Sequence, residues 1–218
     1  GANDQAVADY TLAMMLALSR RLVENHLSVR SGQWARAVGI NLHRKTVGII
    51  GLGRIGKQVV KRLYGFEPRI LGHDVTLDVD FMTRYNVSAV GLDQLFEEAD
   101  LITLHVALSA ETLHLVNHER LQKTKRGVLL VNTCRGAVVD EVALVAALRS
   151  GQVGGAALDV FEQEPLPDSP LREFSNVILS PHVAGISQES SHLMAQMAVE
   201  EVVRVLRNEP ARYAVNSL

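Results

Sequence analysis

Cysteine is almost absent: Cys134 is the only one in 218 residues. A single thiol excludes an internal disulfide and any cysteine-cluster metal site, and no metal is expected. It also fits a reducing compartment, so the expected location is cytoplasmic. Aromatic residues make up 5% of the chain, with one tryptophan, Trp34, which leaves few platforms on which bases could stack. Neither sign of charge dominates, with 22 basic residues against 24 acidic. Basic runs such as Lys123-Thr124-Lys125-Arg126 are short, so the chain lacks the footprint of a nucleic-acid-binding surface. Long apolar runs are missing too. The stretch from Tyr10 to Leu18 is about half the roughly 20 residues of a membrane span, and no basic segment precedes it as in a signal peptide. Of six prolines, several cluster in the one proline-rich segment, Glu164 to Pro170, "EPLPDSP".

What is present is core-forming material, 47% of residues being apolar, enough for one large or two smaller domains. Residues 5–30 carry apolar side chains at helical spacing (Val7, Tyr10, Met14, Leu18, Leu22), which predicts one long helix with Trp34 packed near its end. The period then changes. Apolar runs at Thr46–Ile50, Ile70–His73, Leu101–Val106, Gly127–Asn132 and Gly154–Leu158 alternate with helical patterns, including one near His118 and one over Asp140–Arg149. A last strand, Val177–Leu179, leads into a long helix from about Gln188 to Arg207. Strand and helix alternating at this interval predict an α/β fold of the Rossmann type, a doubly wound parallel sheet flanked by two long helices. The expected division is an inter-domain helix over 1–30, a nucleotide-binding domain over 31–185 and a C-terminal helix with a remnant of a second domain over 186–218.

Gly51-Leu52-Gly53-Arg54-Ile55-Gly56 fits G-x-G-x-x-G, follows an apolar strand directly and opens a helix, the context a dinucleotide fingerprint requires. Gly51 suits the tight turn, Gly53 the close approach of a pyrophosphate, and Gly56 close packing of helix on strand. Free N–H groups and the dipole at the helix start would hold the anion. The next strand ends at Asp74, 18 residues beyond Gly56, where a carboxylate can accept hydrogen bonds from an adenosine ribose and repel a 2′-phosphate. NAD is therefore favoured over NADP. FAD or an S-adenosyl ligand would use the same turn.

In open parallel sheets, ligands bind outside the carboxyl ends of the strands. Three polar residues fall there: Arg135, Glu164 and His182. The stretch Leu129 to Ala137, "LLVNTCRGA", sets a permanent cation just past a strand that should be buried, and such a cation needs a partner. Gly136 would let the chain turn tightly and leave the guanidinium uncovered. Arg135 could bind a carboxylate as a bidentate fork and polarise an adjacent carbonyl. His182 could pass a proton to that carbonyl oxygen, and Glu164, bonded to His182, would fix its tautomer and favour the imidazolium.

Taken together, "GIIGLGRIG", "LLVNTCRGAVVDE", "GGAALDVFEQEP" and "ILSPHVAG" make the chain resemble the D-isomer-specific 2-hydroxyacid dehydrogenases over nearly its whole length. In that family the catalytic arginine, glutamate and histidine would fall on Arg135, Glu164 and His182, at intervals of 29 and 18 residues. The resemblance implies hydride transfer between the nicotinamide of NAD and C2 of a D-2-hydroxy acid or 2-keto acid. By the same likeness Arg54 and Ile55 would meet the pyrophosphate, Asp74 the adenosine ribose, and Thr133 with Asp159 the nicotinamide end. Gly185 would join the cofactor set, and Cys134 would be a small apolar neighbour of the cofactor, not a nucleophile. Ala107 stands where the family commonly has proline, and Asp9 replaces a usual glutamate. Gly1-Ala2-Asn3 matches the start of the family's inter-domain helix, so most of a substrate domain is expected to lie outside these residues. The 218 residues alone are then expected to bind NAD and turn over poorly. A homodimer is expected as well, through the apolar face of residues 7–22 and Trp34. An alternative from another class is an NAD(H)-sensing interaction protein of the co-repressor type.

Overall fold

A computed structural model describes residues 1–214; residues 215–218 of the expected C-terminal unit lie outside the described residues. Seven strands form one sheet: β1 (Thr46–Ile50), β2 (Arg69–His73), β3 (Val87–Ala89), β4 (Leu101–Leu104), β5 (Val128–Asn132), β6 (Val153–Leu158) and β7 (Val177–Leu179). Their spatial order is β3-β2-β1-β4-β5-β6-β7, and every neighbouring pair is parallel. Strands buried on both faces read as unbroken apolar runs, and β1, β4 and β5 are buried at every position.

Successive strand residues feed opposite faces of the sheet. Val47, Ile49, Leu101, Leu129 and Val131 pack with Met14, Met15 and Leu18 of α1 (Asp4–Ser19) and with Val59, Val60 and Leu63 of α3 (Arg54–Leu63). Ile50, Ile102, Leu104, Leu130 and Leu158 pack with the other layer. That layer is built from α5 (Leu92–Glu98), α6 (His118–Lys123) and α7 (Glu141–Ser150), with Phe96, Leu121 and Leu144 inserted into it. The expected strands stand to within two residues. The segment between Asp74 and Leu101 holds α4 (Val79–Arg84), β3 and α5, elements too short for the periodicity to register.

The expected single helix over 5–30 is two helices, α1 and α2 (Leu22–Arg30). The Ser19 carbonyl accepts the Ile40 N–H at 2.7 Å, outside the helix, and Arg21 takes a left-handed conformation, φ 51°. Asn25 then ties Arg21 O and Ala37 O to its side-chain amide, 3.0 Å each. Trp34 does not pack on this helix; it is 75% exposed. The apolar stripe of α1, including Val7, Met14, Met15 and Leu18, is spent inside the chain's own core. It therefore leaves no surplus face for a partner, contrary to the expectation. Exposed apolar side chains lie instead on α2 and beyond it: Leu22, Leu27, Val29 and Val38. The last helix, α8 (Gln188–Leu206), starts with a capping box between Ser187 and Ser190 and buries only Ser190.

Candidate active site at the carboxyl ends of the strands

The strand order switches between β1 and β4: the chain lays β2 and β3 to one side of β1, then crosses to place β4 parallel to it on the other side, and the loops that follow these two strands form the crevice where such folds take ligands. Gly51, directly after β1, has φ +97°, and a Cβ there would lie 2.5 Å from His105 O, directly after β4. Gly56 is equally constrained, because a Cβ would come within 1.9 Å of Gly51 O. Gly53 differs: a Cβ would meet nothing within 4 Å, so the loop presents bare backbone to open space. It is also the N-cap of α3, and no side chain caps that helix start. The first turn of α3 therefore points unspent N–H groups into the crevice, a cradle suited to a pyrophosphate.

Asp74, at the end of β2, is half-buried. Its carboxylate accepts the Leu52 N–H at 2.5 Å and the Thr76 N–H at 3.1 Å, which ties it to the glycine turn itself. Arg54 is exposed at the first position of α3, and Ile55 packs partly into the core. The glycines, the open helix start and Asp74 thus fit a dinucleotide as the sequence pattern requires.

His105 was not singled out by the sequence pattern. The residue keeps some surface, but its ring Nδ1 is sealed and has no partner among the described residues, while Nε2 lies 3.0 Å from Thr103 Oγ1. Burial of the ring pushes its pKa down to about 3, so it stays neutral under the glycine turn.

Beyond β5, Asn132 organises the turn that carries Arg135. Its Oδ1 accepts the Cys134 N–H and Sγ–H at 3.1 Å each, and its Nδ2 donates to Arg135 O at 2.9 Å. Asn132 also escaped the sequence reading, although a polar residue ending a buried strand is a usable signal. Gly136 is required for contact, not for a left-handed turn: a Cβ would sit 1.8 Å from the Phe161 carbonyl carbon. The Arg135 side chain is exposed, donates to Cys134 O at 2.6 Å, and has no carboxylate within 4 Å among the described residues. Burial pushes the Cys134 thiol up to about 11, which leaves almost no thiolate near neutral pH.

His182 and Glu164 meet. His182 Nδ1 lies 2.6 Å from Glu164 Oε2, and Glu164 Oε1 accepts the Phe161 N–H at 3.0 Å. Partial burial alone would raise the Glu164 carboxyl. The bonds from His182 and Phe161 and the charges of His182 and Arg135 outweigh it, and its pKa falls below the usual value. An ionised carboxylate only accepts, so Nδ1 carries the proton of this bond and Nε2 is left to exchange one.

Asp159 holds the loop that presents His182. It is fully buried and accepts three bonds, from Ser180 Oγ (2.6 Å), Val183 N–H (2.9 Å) and Ala184 N–H (2.7 Å), while its backbone carbonyl accepts the His182 N–H at 2.8 Å. Thr133 is buried against α1, its hydroxyl 2.8 Å from that of Thr11, which donates to Val7 O. Gly185 lies against Asn3, where a Cβ would come within 2.8 Å of the amide nitrogen. A cavity of about 640 Å³ opens beside the pair, bounded by Phe161, Leu166, Arg172 and Pro181. Among the described residues no three His, Cys, Asp or Glu side chains cluster as a metal site, and no helix is long and apolar enough to cross a membrane.

The chain is similar to known proteins in sequence and in fold. The sequence model of the D-isomer specific 2-hydroxyacid dehydrogenase NAD binding domain matches residues 12–184. A glyoxylate reductase of Thermofilum pendens is 44% identical over 99% of this chain and 66% of its own length. A D-3-phosphoglycerate dehydrogenase of Synechocystis is 42% identical over 98% of this chain and 39% of its own. The chain thus spans about two thirds of the one relative and two fifths of the other. Among solved structures, the D-lactate dehydrogenase of Aquifex aeolicus complexed with NAD and lactic acid superposes with a TM-score of 0.89 at 32% identity, covering 96% of this chain and 68% of that one. The chain belongs to the D-isomer specific 2-hydroxyacid dehydrogenase family and carries that family's NAD binding domain.

Proposed function

We propose that the chain forms the cofactor-binding and acid–base part of an NAD-dependent oxidoreductase acting at C2 of a D-2-hydroxy acid or 2-keto acid. The observation that carries this reading is the 2.6 Å His182–Glu164 pair, set at the same end of the sheet as Arg135 and the glycine turn. Gly51, Gly53 and Gly56 with Arg54 and Ile55 would hold the pyrophosphate of NAD, and Asp74 the adenosine ribose. Thr133, Cys134, Asp159 and Gly185 would frame the nicotinamide end. Bound NADH supplies the hydride. The Arg135 guanidinium holds the substrate carboxylate in a two-pronged contact and polarises the neighbouring carbonyl. His182 Nε2 delivers the proton to the carbonyl oxygen, and Glu164 orients the ring and favours its charged form.

The relatives named above are a reductase and dehydrogenases, and no observation favours the sensor alternative. The test has two stages. NADH binding to the 218-residue chain is measured by nicotinamide fluorescence. NADH oxidation is then followed on the chain together with the expected substrate domain, with glyoxylate, hydroxypyruvate and 3-phosphohydroxypyruvate, before and after His182→Ala. Binding and oxidation, with turnover lost in the variant, support the reading. Failure to bind NADH overturns it, and turnover retained in the variant removes His182 from its role.

We also propose the division 1–30, 31–185 and 186–218, a cytoplasmic location, and a homodimer. The exposed apolar side chains of α2 and its continuation, with Trp34 75% exposed among them, support a second copy as the cover. Light scattering showing a monomer at micromolar concentration would contradict the dimer.

A further inference from the structure

The two cations on the first turn of α3 are not equally available. Arg54 has no carboxylate within 4 Å among the described residues, whereas Lys57 Nζ lies 2.5 Å from Asp78 Oδ2. The ammonium also sits 5.3 Å from the centre of the Phe81 ring. Asp78 is itself held in place: it is the N-cap of α4, and its Oδ1 accepts the Phe81 N–H at 3.0 Å. The bonds from Lys57 and Phe81 keep its carboxyl ionised, below the usual range. The pair therefore fastens the helix that opens on the pyrophosphate cradle to the loop that follows Asp74. In that short loop Asp74 and Asp78 are each anchored by backbone N–H groups, so neither carboxylate can swing away.

A 2′-phosphate brings roughly −1.5 to −2 of charge near neutral pH, and it binds where a cation can answer it. Arg54, exposed at the first position of α3, directs its guanidinium toward Gly1, where a Cβ would lie 3.5 Å from Nη1, and His73 spends Nδ1 on Val90 O at 3.0 Å. Lys57 has a flexible four-carbon stem and three donors, enough to reach across this loop, but its charge is already matched.

Resting on the NAD reading above, we propose that Asp78 is a cofactor-specificity residue: by clamping Lys57 it leaves the ribose side of the site net negative and closes it to NADP. Asp74 repels the 2′-phosphate, and Asp78 withholds the cation that could compensate.

The test is a pair of fluorescence titrations, with NADH and with NADPH, on the 218-residue chain. Asp78→Asn keeps a good N-cap and removes the charge that holds Lys57; Asp78→Ser is the second variant should the first misfold. The expected result is an NADPH to NADH affinity ratio raised at least fivefold, with the gain lost again when Lys57→Met is added. An unchanged NADPH to NADH ratio in Asp78→Asn overturns the proposal, as does a gain that survives Lys57→Met. If the unaltered chain binds no NADH, the NAD reading itself falls, an outcome distinct from NADH bound at an unchanged ratio.

Discussion

Asp159 holds His182 directly and through the two residues that follow it. Asp159 receives the His182 N–H on its backbone carbonyl at 2.8 Å, and its buried carboxylate receives the N–H groups of Val183 and Ala184, the two residues that follow. His182 sits in a left-handed conformation, φ 53°, which a non-glycine residue keeps only where its surroundings impose it. Asp159 supplies those surroundings. Asp159→Asn keeps one acceptor oxygen but turns a donor, its amide NH2, toward backbone or hydroxyl donors that the carboxylate had satisfied, and a loss of about 3 kcal/mol is expected. Urea denaturation gives the total, and faster hydrogen exchange at Val183 and Ala184 would locate the damage.

Glu164 acts on the histidine from the other side. Replacing it with glutamine removes the ionised acceptor that holds the His182 Nδ1 proton. In the direction of keto-acid reduction, kcat should then fall at least tenfold while KM stays within about threefold, because ring orientation and not substrate binding is lost. A rise in KM with kcat unchanged would remove Glu164 from this role.

The glycine turn separates binding from folding. Gly53→Ala adds a methyl group where the protein has nothing within 4 Å, so stability should change by no more than about 0.5 kcal/mol while NADH affinity falls at least tenfold. Gly56→Ala drives a Cβ into Gly51 O and should cost about 3 kcal/mol. Thermal melts with and without NADH distinguish the two.

His105 makes stability depend on pH in a definite direction. In the unfolded chain it takes a proton near 6.5, and in the folded protein only near 3. Between these values the unfolded state binds more protons, so this contribution is fully present above pH 6.5 and is lost as the pH falls toward 3, with a slope of up to about 1.4 kcal/mol per unit. Urea titrations between pH 6.5 and 5, above the carboxylate range, should show this slope, and His105→Gln should flatten it.

Residue pattern alone placed most of the strands and the glycine turn, because buried parallel strands are continuous apolar runs and the turn tolerates only glycine at two of its positions. It also brought Arg135, Glu164 and His182 to one end of the sheet, since chain direction in a βαβ unit puts every strand's following loop on the same side. It misjudged the N-terminal helix because apolar spacing continues through Arg20-Arg21 while the Ser19 carbonyl is claimed by Ile40, 21 residues later. It ascribed Gly136 to a turn, whereas the constraint is the Phe161 backbone pressed against it. It passed over Asn132 and His105, whose significance comes from unpaired or shared hydrogen bonds, and these have no period.

Local spacing and chemistry therefore determined the layers of the fold, the glycine turn and the three polar residues at the strand ends. Only the tertiary structure decided which face of α1 was already spent in the core, that Asn132 organises the Arg135 turn and Asp159 the His182 loop, and that Lys57 is clamped while Arg54 has no carboxylate within 4 Å among the described residues. Those outcomes turn on contacts between residues distant in sequence, and distance in space, not order along the chain, sets hydrogen bonding, burial and charge.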